Sequence, residues 1–352
     1  MATRRKTPAS KAPASSPPAG VVTLEMVAAE AGVSPSTVSR ILNGTAKVRD
    51  AKVGAVRAAI SKLQFEPNPV ARSLARGRSM SVGVIIQTID SPFYGEALAA
   101  IEKGLFRAGY SVLFLSGHWR EDDERRCVEH LLARRVEGII LVTSCLPDAE
   151  LVRLTRQVPI VLTGRSIEAE RSYSMDADST PGARLATEYL IGQGHRKIAF
   201  IAGPADHPDS VQRLTGYKNA LSAAKIAYAP KLVAAGDYSD GGGYQAMNRL
   251  LDSKAEFTAV FAANDQSAYG AMLALHRRGL RIPQDVSIVG FDDLPTSSYI
   301  IPPLTTVHRS INELGEAAAE AMIDLLDGRT PVSKLSSATL AIRDSTRPNR
   351  DR

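Results

Sequence analysis

Cysteine is nearly absent: the 352-residue chain holds two, Cys127 and Cys145. That is too few for a disulfide framework or for a thiolate metal site of the C-x-x-C kind, and it fits a reducing cytoplasm. Long apolar runs are missing as well. The stretch Gly138-Ile139-Ile140-Leu141-Val142 falls far short of the roughly 18 residues needed to span a bilayer, and the basic start leads into no apolar signal core, so neither export nor membrane insertion is expected. Catalytic signatures are lacking too. The chain has no G-x-x-x-x-G-K-[ST] loop, no H-E-x-x-H helix and no G-x-S-x-G elbow, and Gly241-Gly242-Gly243 opens a helix without the dinucleotide fingerprint. His118, His195 and His207 read as ordinary surface residues at strand ends and loops. An enzyme is therefore not expected, and no cofactor or metal site is implied.

Acidic residues are scarce in one region only. The first 80 residues carry 13 Lys and Arg against 4 Asp and Glu, leaving 30 against 33 in the remainder, so the net charge of +6 is +9 at the N-terminal end and −3 elsewhere. Such a split suggests that the N-terminal segment meets a polyanion. Residues 1–20 (MATRRKTPASKAPASSPPAG) combine basic residues with proline, alanine and serine and have no apolar period, and they read as a disordered basic tail.

Residues 21–66 read as a DNA-binding domain of three helices. Thr23 is placed as an N-cap with Leu24, Val27, Ala28 and Ala31 at helical spacing. Gly32-Val33 interrupts, Ser34 caps a second helix that starts at Pro35 and keeps Val38, Ile41 and Leu42 inward, and Asn43-Gly44 stops it. Two helices joined by a short turn containing glycine have the form of a helix-turn-helix. Asp50 starts a third helix with Val53, Val56, Ile60 and Leu63 on one face. Residues 67–80 form a hinge and linker, in which Asn68 and Pro69 open a short helix through Ala71 and Leu74. At about eight residues this helix is marginal alone and needs stabilising from outside.

From residue 81 to 352 the texture changes to apolar runs of strand length alternating with helices: Val82–Thr88, Val112–Leu115, Gly138–Thr143 and Ile160–Thr163, then Ile198–Ala202, Leu232–Ala234, Ala259–Ala262 and Ser287–Phe291. The fold class is α/β: after the helical head, two doubly wound parallel-sheet subdomains with a crevice between them, the chain crossing near 163–165 and again near 292–310. Ligands of such folds sit beyond the carboxyl ends of the strands. Phe93 and Tyr94, Arg213, Asn264, Asp292 and Arg309 lie just after strands or on the returning segment. An Asp, an Asn and an Arg can grip vicinal hydroxyls while an aromatic ring stacks on a sugar face. Other roles stand beside these: Asn264 also suits a helix cap, Asp292 a chain reversal and Phe93 the core. Arg165 near the crossover, together with Arg309, hints at added positive charge for a carboxylate or phosphate.

The run Val22 to Asn43 (VTLEMVAAEAGVSPSTVSRILN) and the hinge Pro-Asn-Pro-Val-Ala-Arg-Ser-Leu-Ala at 67–75 resemble the LacI/GalR repressor family. Ile201-Ala202-Gly203-Pro204, Ala263-Asn264-Asp265, Val289-Gly290-Phe291-Asp292-Asp293 and Pro303-Leu304-Thr305-Thr306-Val307 extend the resemblance to that family's periplasmic-binding-protein-like effector domain. The resemblance implies a cytoplasmic transcriptional regulator, a repressor rather than an activator, that works as a homodimer or homotetramer on a pseudo-palindromic operator and answers to a small sugar or sugar derivative. It also implies that two hinge helices pair in the minor groove and insert Leu74 between base steps. For a recognition helix in the major groove, Pro35, Ser36 and Arg40 are the expected base readers. Thr23, Ser34, Thr37, Ser39 and Asn43 are placed for phosphates or capping. No heptad run long enough for a tetramerising coil follows residue 310.

Overall fold

The computed structural model describes residues 22–42, 49–65, 78–175, 178–332 and 334–349. It divides into two compact units, Met1–Ser79 and Met80–Arg352. The expected basic tail, Asn43, and the hinge positions Asn68, Ala71 and Leu74 lie outside the described residues.

In the first unit, α1 (Leu24–Glu30), α2 (Pro35–Leu42) and α3 (Asp50–Leu63) enclose a small core of Val27, Ala28, Val38, Val56, Ala59 and Phe65. The caps form as anticipated. The Thr23 hydroxyl accepts from Met26 N at 3.4 Å and the Ser34 hydroxyl from Thr37 N at 3.3 Å, which satisfies amides that the first helical turn leaves unpaired. Gly32, at φ +63°, makes the turn between α1 and α2, a backbone state that costs glycine nothing.

The second unit contains two sheets. β1 (Ser81–Ile86), β2 (Ser111–Ser116), β3 (Gly138–Val142), β4 (Ile160–Thr163) and β5 (Ser172–Met175) form the first, in the order β2-β1-β3-β4-β5 and parallel throughout. Its helices are α4 (Pro92–Arg107), α5 (Glu121–Ala133) and α6 (Asp148–Thr155). Strand side chains alternate between two cores: Val84 and Ile86 pack in one with Ile101 and Leu105 of α4, Ile85 in the other with Leu131 of α5 and Leu151 of α6. The second sheet holds β6 (Ile198–Ala202), β7 (Val233–Ala235), β8 (Ala259–Ala262), β9 (Ser287–Asp292), β10 (Thr305–His308) and β11 (Thr339–Ala341). Its order is β11-β10-β9-β8-β6-β7, with only the β10–β11 pair antiparallel. Helices α7 (Thr180–Gly192) and α8 (Pro208–Ala223) cover one face, α9 (Asp240–Asp252) and α10 (Asp265–Arg277) the other.

Two features depart from the sequence reading. The chain stays in the first lobe through β5, which pairs with β4, so the first crossover falls after Met175 rather than near 163–165. The strand Ser172-Tyr173-Ser174-Met175 is short and half polar, without the apolar run that betrayed the others. After β10 the chain returns, and α11 (Ile311–Leu326) packs Leu314, Ala318 and Met322 into the first lobe's core. The lobes are thus joined by three connections, between β5 and α7, β10 and α11, and α11 and β11.

Helix pairs are pressed together at glycines. A Cβ on Gly270 of α10 would stand 1.9 Å from the Asp240 carbonyl oxygen and 2.6 Å from Tyr244 N of α9. Gly270→Ala should therefore destabilise the body by about 1–3 kcal/mol or more through overpacking, whereas Gly54→Ala on α3, where a Cβ meets open space, should gain roughly 0.5–1 kcal/mol of helix propensity. Denaturant melts of the two variants check both signs.

Candidate DNA-reading head and ligand crevice

On the head, Pro35, Ser36 and Arg40 are exposed along one side of α2, with Thr37 and Ser39 half-buried and Val38 turned into the core. Ser34 is more than a cap. Its hydroxyl also lies 2.9 Å from that of Ser36 and 2.8 Å from that of Thr37, so three hydroxyls form one cluster at the start of α2. Thr23 opens α1 half-buried. A helix start carrying small polar groups, followed one turn later by an arginine, suits phosphate contact at its tip and base contact along its side.

In the body, each sheet reverses strand order next to its first strand, between β1 and β3 and between β6 and β8. The carboxyl ends of the strands there lie at the crevice where the two lobes meet, and direct contacts such as Trp119 on His207 cross it. Six of the twelve described non-glycine residues with positive φ lie at or just after the carboxyl ends of strands: His118 and Trp119 after β2, Thr143 after β3, Tyr238 after β7, and Asp292 and Asp293 at the end of β9. Asp292, at φ +109°, holds a backbone state that costs on the order of 1–3 kcal/mol and persists only where the surroundings enforce it.

Arg213, entering from α8, is the centre of the second lobe's wall. Only 3% exposed, its guanidinium donates to the Ala263 carbonyl and to Asp292 Oδ1 at 3.3 Å, and Asp209 Oδ2 lies 3.7 Å away. It stacks on Phe291 with Cζ 3.9 Å from the ring centroid and faces Tyr238 at 5.6 Å. Burial pushes the Asp292 carboxyl above the ordinary carboxylate range, and Arg213 pulls back against that shift. The Arg213 Nε is buried without a hydrogen-bond partner among the described residues. Such groups cost free energy unless something supplies the missing bond. Asn264 caps α10, accepting from Ser267 N at 3.0 Å, and donates to the Tyr238 carbonyl at 2.9 Å. The capping role foreseen for it is thus realised, at the same rim.

From the first lobe, Tyr94 is buried, with its hydroxyl held by Thr143 and within electrostatic reach of Asp209, Tyr238 and Asp292 across the crevice. Phe93 meets it edge-on at 5.3 Å and packs against Ala97, Leu294 and Ile311, so the core alternative describes Phe93 better. Ser91 Oγ donates to Gln266 Oε1 at 3.1 Å, a direct link between lobes. Arg309, on the β10–α11 connection, donates to Ser179 Oγ at 3.1 Å. Arg165 is corrected: its guanidinium donates to the Ser144 carbonyl at 3.1 Å and the Leu146 carbonyl at 2.8 Å and pairs with Asp148. It braces the β3–α6 loop and offers no open charge to an anion.

Sequence reasoning passed over Trp119, His207, Tyr238 and Gln266. The signal was available, since the first three follow the ends of β2, β6 and β7. His207 and His195 are also corrected from surface residues to buried ones, 8% and 3% exposed. His207 caps α8 through Nδ1, and His195 joins Thr258 to the Arg347 carbonyl.

Asp265 belongs to the scaffold. It is fully buried and accepts from Leu294 N at 2.8 Å and from the Ser297 and Thr306 hydroxyls. Burial pushes its carboxyl up to about 6 in spite of those donors, while in the unfolded chain an aspartate titrates near 4, as about 3.9 is usual. The folded state therefore holds this proton more tightly, a contribution complete below about pH 4 and lost as pH rises through about 6. Relative to Asp265→Asn, the native protein should lose about 2 kcal/mol of stability between about pH 4.5 and 7. Parallel urea titrations across that range check the sign.

A helix-turn-helix head followed by a two-lobed body with a polar crevice defines a DNA-binding protein that responds to a small ligand. Residues 23–68 match the bacterial regulatory proteins of the lacI family, and residues 187–346 match the periplasmic binding protein-like domain. The chain is 36% identical to the HTH-type transcriptional regulator GalR of Escherichia coli K12, over 92% of this chain and 96% of that one. Among solved structures, the lac repressor dimer bound to operator and the anti-inducer ONPF matches with a TM-score of 0.84 and 32% identity, over 93% of this chain and 99% of that one. A complex of the transcriptional regulator CelR with cellobiose matches with a TM-score of 0.69 and 34% identity, over 92% and 99%. The chain belongs to the LacI family of bacterial regulatory proteins; it is a DNA-binding transcriptional regulator and not an enzyme. No helix among the described residues is long and apolar enough to cross a membrane.

Proposed function

We propose that the protein is a cytoplasmic repressor that grips a pseudo-palindromic operator as a homodimer, and that a neutral carbohydrate in the crevice sets the grip. The observation that carries the ligand class is the Arg213–Asp292 pair, with Asp209 beside it. Two carboxylates already balance the buried guanidinium, and Arg165 is engaged elsewhere, so the wall suits hydroxyls that can both donate and accept better than a second anion. Neutral sugars are preferred on this ground over sugar acids or sugar phosphates. Asn264 and Tyr94 complete the polar rim.

For the DNA, Arg40, Ser36 and Pro35 read base edges, and Thr23, Ser34, Thr37, Ser39 and Asn43 meet phosphates. Asn68, Ala71 and Leu74 act in the minor groove of the operator. The self-association face is the second lobe's apolar groove of about 830 Å³, lined by Tyr269, Met272, Leu273, Ile300 and Ile301, where Ile301 is 94% exposed. A patch of this kind is characteristic of protein interfaces. The ligand shifts the balance between DNA-competent and incompetent dimers by its differential affinity for the two.

The test is to sequence genomic fragments retained by the purified protein at moderate ionic strength, with and without neutral sugars and sugar acids. A shared palindrome released or strengthened by a neutral sugar supports the reading. Retention no better than random duplex, or a response confined to sugar acids, defeats it.

A further inference from the structure

Three rings run in a row along the crevice. The indole of Trp119, from the first lobe, lies 4.9 Å from the His207 ring of the second lobe, and His207 lies 5.2 Å from Tyr238, each pair edge-to-face. Tyr238 in turn faces the Arg213 guanidinium. The row thus starts at the polar wall that grips hydroxyls and ends, two ring contacts further on, at an indole still 42% exposed. Rings in edge-to-face contact leave no space for another ring between them.

Trp119 and His207 are both fixed from behind. Trp119 N donates to Gln87 Oε1 at 2.8 Å. The buried Gln87 amide donates to the Thr143 carbonyl at 2.7 Å and to Glu124 at 3.4 Å. Glu124, fully buried, also accepts from Cys145 N at 2.9 Å and from the Ser144 hydroxyl. This network holds Trp119 at φ +58°, a left-handed state that a non-glycine residue adopts under constraint. His207 Nδ1 accepts from Asp209 N at 3.1 Å, which ties its ring to the start of α8.

We propose that Trp119 and His207 form the end wall of the crevice and set the length of the ligand, admitting one sugar ring at the Arg213 wall and refusing a second ring that would extend toward the indole. Trp119 is the specificity-determining residue and Gln87 its positioning residue. The inference rests on the carbohydrate reading above and adds the size of the carbohydrate.

Calorimetric titration of the full-length protein with glucose, galactose and ribose, and with cellobiose and lactose, tests it. The native protein should bind one of the single-ring sugars at least about tenfold more tightly than either disaccharide, and Trp119→Ala should abolish that ratio. A native preference for a disaccharide, or a ratio unchanged in Trp119→Ala, overturns the wall. Heat with none of the five defeats the carbohydrate reading itself, and the wall falls with it. A ligand-free measurement separates the two. Trp119 is the only tryptophan of the chain, so its emission reports the ring contact directly. His207→Asn keeps a capping acceptor for α8 but removes the ring, and should shift the emission to the red. An unchanged spectrum overturns the wall whatever the sugars do.

Discussion

Arg213→Met should uncouple the body from its effector and destabilise it by about 3–5 kcal/mol, the usual cost of stranding one member of a buried ion pair. Asp292 is 5% exposed and Arg213 3%, so neither charge can turn to water when its partner is removed. Part of the loss is recovered because burial already favours the neutral form of Asp292; without the guanidinium, that carboxyl takes up a proton at neutral pH. The double variant Arg213→Met with Asp292→Asn removes both charges and should regain most of the stability while remaining unable to answer a sugar. Thermal melts combined with operator binding in the presence of sugar separate the two effects. A single variant that melts low yet still responds to sugar would place the binding residues elsewhere.

Arg40→Ala should weaken operator binding about 10- to 100-fold, the 1–3 kcal/mol of a bidentate arginine–guanine contact, with little change on random duplex. Position on α2 motivates this. Arg40 is exposed one turn beyond the Ser34–Ser36–Thr37 hydroxyl cluster, with Val38 anchoring the opposite face. Arg40→Lys sharpens the distinction, because it keeps the charge and loses the planar fork. It should behave like alanine on the operator and like the native protein in its salt dependence. Equal losses on operator and random duplex would make Arg40 a phosphate contact instead.

Which parts of this architecture were legible in advance follows from the range of the interactions involved. The Thr23 and Ser34 caps, the glycine turn at Gly32 and the alternating strands and helices are set within a few residues of one another, and local pattern reports local physics. The rule that ligands collect at strand ends pointed to Asn264 and Asp292 at the ends of apolar runs and to Tyr94 and Arg213 in the helices that follow such runs. It overreached at Arg165, which also follows a strand, since position cannot show that the carbonyls of Ser144 and Leu146 and the carboxylate of Asp148 would occupy its guanidinium. It underreached at His207, where a polar residue in a loop reads as exposed until the Trp119 and Tyr238 rings close on either side.

The basic head with its two capped helices, the doubly wound body and the family could be read from the order of residues alone. These rest on charge distribution, short-range capping and hydrophobic period, all of which survive in one dimension. Folding in three dimensions was needed to show that β5 stays with the first lobe, that α11 returns to it, that Arg213 pairs with Asp292 beside Asp209, and that an indole from one lobe meets an imidazole from the other. Those outcomes depend on residues from a dozen to well over a hundred positions apart being brought within a few ångströms, and the free energy that selects among such meetings is that of close packing and buried charge, which no local pattern carries.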